Sequence, residues 1–328
     1  MTVEAVAPGS DPVADVDGSG WIAAIRAGDF ERAWKIADAD LARLRMSNPP
    51  KHEGPRHLQR IWRGEEIRDQ RVLVRCYHGL GDTIQFIRFM TPLRKIARVV
   101  TVWCQPELLS LVNRVEGVDR AIPLHDGAPE VDFDVDIEIM EVPHAIRAGL
   151  REVELKNPFL DVPATCDAAP VLSTPGRLAL GMVWEVGDWD RRRSIPPTLF
   201  RNLLVEGAQL YSLQRGAGSA AASKIGAIDI STPDIMSLAR RMQGLDLVLS
   251  VDTMVAHLAG SLGIETWIML HSDCDWRWPA VGDRSMWYAS ARLFRQRTAG
   301  DWTPVVRAIG SALRERLHRS EASRAIRR

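Results

Sequence analysis

The stretch HGLGDTIQF, residues 78 to 86, sets one carboxylate, Asp82, behind two glycines and the apolar run RVLVRC. Glycines that follow a strand can cradle a phosphate, so dinucleotide binding is the first chemistry to test. That fingerprint needs a third glycine and an acid about 20 residues further on. The chain has Ile84 at the third position, and the next apolar run, ending TVWCQ, carries no acid at its tip. An acid at a helix start would also repel a phosphate bound there. The nicotinamide reading is therefore weak. Gly79 and Gly81 read instead as a permissive turn that presents Asp82 at the C-terminal end of a buried strand.

A second strand, acid and helix combination lies at LVLSVDTMVAHLAGSLG, residues 247 to 263. Asp252 ends the strand. Thr253 and Met254 open a helix whose free N–H groups form a ready anion site. Small residues at Ala256, Ala259, Gly260 and Gly263 let this helix lie close to its sheet. His257, one turn in, either donates to a phosphate or is a satisfied interior histidine, just as Asp252 either holds a ligand or only caps the helix. The polar loop EVGDWDRRRSIPP adds Arg191, Arg192 and Arg193, whose guanidinium forks suit a pyrophosphate if they are more than a solvated charge run. The segments DWD and DCDWRWP match D-x-D at Asp188/Asp190 and Asp273/Asp275, a pattern that recurs by chance in acidic loops and is too short to argue for a metal. Trp276, Trp278 and Trp287 either stack on a base or sugar or fill a core.

These groups need a scaffold, and the pattern of apolar runs supplies one. From residue 71, β-rich runs (RVLVRC, VVTVW, RAIPL, DVDIEI) alternate with helical segments, and Pro92 is expected to kink or end the first helix near Thr91. After the Pro-rich passage at 155–176 the alternation restarts with RLALGMVW, QLYSLQ, LDLVLSV and ETWIML. Such alternation predicts two doubly wound α/β domains in tandem, with ligands at the C-terminal strand ends and a shared cleft. The expected organisation is a disordered tail at 1–20, a helical hairpin at 21–50 and an α/β domain at 65–165. A second α/β domain follows at 175–318, and a basic tail at 319–328. The hairpin, WIAAIRAGDFERAWKIADADLARLRM, turns at AGD. It resembles a single unit of a helical repeat array, and with no second copy it reads as a cap packed on the next domain.

Lysines plus arginines number 42 and aspartates plus glutamates 42, so no net field favours nucleic acid or an anionic membrane. Cys76, Cys104, Cys166 and Cys274 are too dispersed for a metal site and read as reduced thiols. The acidic N-terminus is unlike a signal sequence, and no apolar run reaches the roughly 20 residues of a membrane span. A cytoplasmic protein is expected, with no integral membrane segment and with peripheral association at the inner membrane left open.

Six segments in order, GLGDTIQF, RSIP, YSLQRG, LDLVLSVDTMVAHLAGSLG, DWRW and ARLFRQRTAGDW, together resemble bacterial glycosyltransferase family 9, the heptosyltransferase-like family, and most closely its members fused to tetratricopeptide repeats. The resemblance spans about residues 70 to 310. It implies a GT-B fold, two Rossmann-like domains facing across a cleft, and inverting, metal-independent transfer from a nucleotide sugar to a glycan, lipid-glycan or protein hydroxyl, with no cofactor. By resemblance, Asp82 matches the catalytic base, with His78, Gly79, Gly81 and Gln85 on the acceptor side. Arg193 and Ser194 match the donor-diphosphate loop. Asp252, Thr253, Met254 and His257 match the donor-holding element. Two positions depart: Met254 stands where the family usually has glycine, and arginine replaces the phosphate-binding lysine. A catalytically silent glycan- or nucleotide-binding relative is the alternative.

Overall fold

The computed structural model describes residues 18–47, 61–154, 158–163, 177–187, 190–203 and 207–326. Cys166, the NPPKHEGP linker, most of the Pro-rich passage and nearly all of the N-terminal tail lie outside these residues, as do Asp188 and Trp189.

The first sheet is built from β1 (Arg71–Arg75), β2 (Val99–Cys104), β3 (Arg120–Pro123) and β4 (Val135–Glu138), all parallel in the order β3-β2-β1-β4. Val72, Leu73 and Val74 of β1 are fully buried, which is what a central strand covered on both faces requires. The hairpin α1 (Ser19–Arg26) and α2 (Phe30–Ser47) precedes this sheet. Helices α3 (Leu80–Phe86), α4 (Met90–Arg94), α5 (Leu109–Val112), α6 (Val142–Ala145) and α7 (Leu150–Glu154) cover it. The second sheet is also parallel, in the order β10-β9-β8-β5-β6-β7. Its strands are β5 (Leu178–Val183), β6 (Ala208–Ser212), β7 (Ile228–Asp229), β8 (Leu247–Val251), β9 (Thr266–Leu270) and β10 (Ala291–Arg295). Helices α8 (Ile235–Gln243), α9 (Met254–Ser261) and α10 (Thr303–Ile326) accompany it. Residues 319–326 of the basic tail are thus the end of a helix.

Pro92 does not end the first helix. The chain tightens to a 3₁₀ turn at Ile87–Phe89 and continues as α4, with Pro92 in that helix's first turn. A proline costs little there, because first-turn N–H groups have no intrahelical partner. Gly28, at φ 74°, makes the hairpin turn that AGD predicts. The hairpin packs on both domains. Trp34 Nε1 donates to the Ala148 carbonyl at 2.6 Å, and Asp38 takes hydrogen bonds from Arg147 at 2.8 Å and lies 2.9 Å from His144 Nε2. The turn of α1 reaches the second domain.

Residues 158–163 also run along the second domain, where Phe159 N–H and Leu160 N–H donate to the Ser261 carbonyl. Arg88 pins this junction from inside. It is buried and donates to the Gln85, Val153 and Trp287 carbonyls at 2.9, 2.9 and 2.7 Å. Its guanidinium lies 4.5 Å from the Phe159 ring centre and 4.8 Å from that of Tyr288. Among the described residues no carboxylate pairs with it, and burial lowers its pKa. Arg88→Met strands three carbonyls that now accept charged hydrogen bonds, each worth about 1.5–3 kcal/mol, so a loss of about 3 kcal/mol or more is expected. An unchanged denaturation midpoint would contradict the pinning role.

Candidate functional site

The C-terminal ends of β1, β5 and β8 open into one cleft of about 1180 Å³ between the two domains. This exceeds the 300–1,000 Å³ of ordinary small-molecule pockets, so it has room for a nucleotide-sized ligand and the end of a second one. Its floor is where α3 and α9 meet N-terminus to N-terminus. A Cβ at Gly81 would lie 2.9 Å from His257 Cδ2 and 3.4 Å from Met254 Cα. Neither Gly79 (φ −69°) nor Gly81 has positive φ. The expected permissive turn is therefore a close approach instead. Gly81 is small because α9 of the other domain occupies the space a side chain would need.

Asp82 lies at the third position of α3, with Gly79 as the N-cap. Its Oδ2 accepts from Gly79 N–H at 2.9 Å, which closes the helix start. Its Oδ1 accepts from Arg277 Nη2 of the second domain. Arg277 is 8% exposed, lies 4.5 Å over the Trp276 ring, and holds Asp275 Oδ1 through Nη1 at 2.7 Å. Burial opposes its charge, but Asp82, Asp275 and Asp252 more than offset that and raise its pKa. Arg277 was visible in the sequence only as part of DWRW. No spacing rule links it to an aspartate 195 residues earlier.

On the opposite wall, Arg193 Nη1 donates to the Asp252 main-chain carbonyl at 3.0 Å. The Arg193 Nε is buried with no hydrogen-bond partner among the described residues. Arg192 is different, because Asp190 and Asp273 take its guanidinium at 2.8–3.3 Å. The loop thus aims one arginine inward at Asp252 and ties another to its own carboxylates. Ser194 does not line the cleft; its Oγ accepts from Val186 N–H at 3.1 Å and fixes the loop's shape. Of the D-x-D acids, Asp273 faces Arg192 and Asp275 faces Arg277.

Thr253 is the N-cap of α9 without a side-chain cap bond; its hydroxyl lies 3.2 Å from Ser250 Oγ. The first N–H groups of the helix at Met254 and Val255, which both line the cleft, are thereby left for a ligand. Asp252 is buried at the strand end, and burial raises its pKa. His257 is buried, stacked on Trp278 at 5.7 Å, with Nδ1 2.9 Å from Tyr288 Oη and Nε2 3.8 Å from Asp252 Oδ1. Burial, reinforced by Arg277, Arg88 and Arg193, pushes its pKa well down, so the ring is neutral. When Tyr288 donates to Nδ1, the ring proton sits on Nε2. In that tautomer the neutral ring offers a donor on the side of Asp252 and the cleft. The small residues of α9 serve Tyr288 as well, since a Cβ at Gly260 would lie 2.5 Å from its ring.

His78 lines the cleft, its carbonyl held by Gln105 Nε2 at 2.7 Å and its ring 3.7 Å from the buried Glu138 carboxylate. Burial pushes Glu138 well above the usual carboxyl range. Gln85 departs from its expected place. It is fully buried and does not line the cleft, because by that turn α3 has passed between the domains. Both its amide atoms are buried without hydrogen-bond partners among the described residues. Trp278 and Trp287 are core residues, at 0% and 1% exposure. Trp276 lines the cleft but already carries Arg277.

No protein-family model and no curated protein matches the sequence. The fold matches solved structures. One is glycosyl transferase family 9 from Veillonella parvula, at TM-score 0.53 and 14% identity over 70% of this chain and 87% of that one. Another is Escherichia coli ADP-heptose lps heptosyltransferase II, at TM-score 0.56 and 12% identity over 76% and 99%. A third is the E. coli heptosyltransferase WaaC with ADP-2-deoxy-2-fluoro heptose, at 0.50 and 14% over 75% and 99%. The fold is of the GT-B type, two parallel-sheet domains facing across a cleft, preceded here by the hairpin. Among the described residues no helix is long and apolar enough to cross a membrane.

Proposed function

We propose that this protein is a glycosyltransferase that moves a sugar from a nucleotide-sugar donor to an acceptor hydroxyl, with inversion at the anomeric carbon and without a metal. The observation that carries the reading is the opposition across one cleft of Asp82, from the first domain, and the open N-terminus of α9 with Arg193, from the second. Inverting transfer needs these two features on opposite sides of the anomeric carbon. The acceptor oxygen bonds to that carbon and gives its proton to Asp82. The bond to the diphosphate breaks, its electron pair leaves with the diphosphate oxygen, and Arg193 with the N–H groups of Met254 and Val255 takes up the charge. His257 adds a neutral hydrogen bond on the donor side. Asp190, Asp273 and Asp275 are each paired with an arginine, which supports charge neutralisation by the protein's own cations. The solved neighbours with ADP-heptose in their names make ADP-sugars the first donors to try; glycan, lipid-glycan and protein hydroxyls are the acceptor classes.

One observation favours a second reading. Both oxygens of Asp82 are engaged, by Gly79 and Arg277, as they would be in a catalytically silent nucleotide-sugar binder. A thermal-shift series with ADP-, UDP-, GDP- and TDP-sugars and NAD, each with and without EDTA, tests the donor site. A ligand at about 100 times its dissociation constant adds roughly 2.7 kcal/mol. One nucleotide sugar is expected to raise the melting temperature regardless of EDTA. A response to NAD alone, or one abolished by EDTA and restored by manganese, would contradict the proposal.

A further inference from the structure

The loop that brings Arg277 to Asp82, Cys274–Arg277, belongs to no strand or helix, so side chains must hold it. Asp275 does so from within, through Arg277 N–H at 3.0 Å and Nη1 at 2.7 Å. Trp287 Nε1 holds the Arg277 carbonyl at 2.8 Å. The Phe86 ring of α3 packs on Trp276 and Arg277, and further support comes from the N-terminal hairpin. Arg26, the last residue of α1, donates from Nη2 to the Cys274 carbonyl at 2.7 Å and reaches the Asp275 carbonyl at 3.4 Å. Trp21 of the same helix meets Trp276 edge to face, with ring centres 5.0 Å apart, nearer than the Phe86 and Trp287 rings that also pack on Trp276, and Trp276 in turn carries the Arg277 guanidinium. At its far end the hairpin is fastened to the first domain through Asp38 with Arg147 and through Trp34 with Ala148. The hairpin therefore touches the domain that owns Asp82 and the loop of the domain that owns Arg277.

We infer that the hairpin is a positioning element of the active site. Arg26 and Trp21 set the 274–277 loop, and the loop sets the guanidinium that orients the Asp82 carboxylate. This inference rests on the reading of Asp82 as the proton acceptor. A proton acceptor works only when its lone pair is aimed at the acceptor hydroxyl, and small misplacements of reacting groups are costly. Among the described residues, Arg193 and the first N–H groups of α9 make no hydrogen bond to residues 274–277.

The test uses the full chain with Arg26→Ala and Arg26→Lys, read by turnover, donor affinity and amide hydrogen exchange over residues 272–280. For Arg26→Ala, exchange in that segment should rise and turnover should fall about tenfold with donor affinity kept within about twofold. Arg26→Lys, which keeps a cationic donor toward the Cys274 carbonyl, should recover most of the turnover. Unchanged exchange, or unchanged turnover beside raised exchange, overturns the inference. So does a loss of donor affinity in step with turnover, which would mark a general structural role. A wild type that binds a nucleotide sugar and transfers nothing removes the proton-acceptor reading instead. An active wild type whose turnover ignores Arg26→Ala removes only the positioning role.

Discussion

Replacing Asp82 by asparagine is expected to lower turnover by a factor of about 100 to 10,000, the usual contribution of a placed general base, while donor affinity stays as it was. The donor contacts lie on the second domain, and the Gly79 N–H can still be capped by the asparagine Oδ1. The structure adds a complication. Asp82 is not the N-cap but the third residue of α3, and its other oxygen neutralises a buried arginine. Asparagine would turn its NH₂ toward the Arg277 guanidinium, donor against donor. Breaking one side of a buried pair costs about 3–5 kcal/mol, and less here because Asp275 still holds Nη1 of Arg277. Melting should therefore fall too, and turnover must be measured per folded molecule. Adding Arg277→Met removes the donor-against-donor clash and should restore melting without restoring turnover. If Asp82 serves only as the counter-charge of Arg277, that double variant would instead regain both. Near-normal turnover in the single variant would end its assignment as the base.

The second large effect is on donor binding. Arg193→Ala removes the arginine whose guanidinium reaches Asp252 at the donor-side strand end, and with it a charged hydrogen bond to the diphosphate worth about 1.5–3 kcal/mol. Donor affinity, measured by calorimetry, should fall by roughly one to two orders of magnitude. Arg192→Ala should cost much less, since that guanidinium is already taken by Asp190 and Asp273. Equal losses from the two variants would mean that the loop acts as a diffuse positive patch. No loss from Arg193→Ala, with the fold intact, would make it a structural residue.

The contrast between these arginines shows what the sequence could and could not convey. RRR marks a cationic loop, but which guanidinium faces inward depends on where Asp190, Asp252 and Asp273 come to lie, and that is tertiary information. Strands β1, β2, β5, β8 and β9 were legible because parallel strands buried on both faces leave continuous apolar runs. Strand β10, ARLFR, has charged residues within it, and β7 is two residues long, so neither leaves such a run. Gly81 was visible as a glycine, but its reason lies in another domain. The same holds for Arg277, whose partner Asp82 is distant in sequence, and for Gln85, which the path of α3 carries into the interior. The small-residue helix at 254–261 was the most legible site element, because its acid, N-terminus and histidine are all local.

The most direct measurement is release of nucleoside diphosphate from whichever nucleotide sugar stabilises the protein, in the presence of EDTA and of hydroxyl acceptors, by the wild type and by Asp82→Asn. Steady, chelator-insensitive release by the wild type and near-background release by the variant are expected, with both proteins binding the donor equally. Background release by both, with the donor bound, would contradict catalysis and leave a binding protein of the same fold.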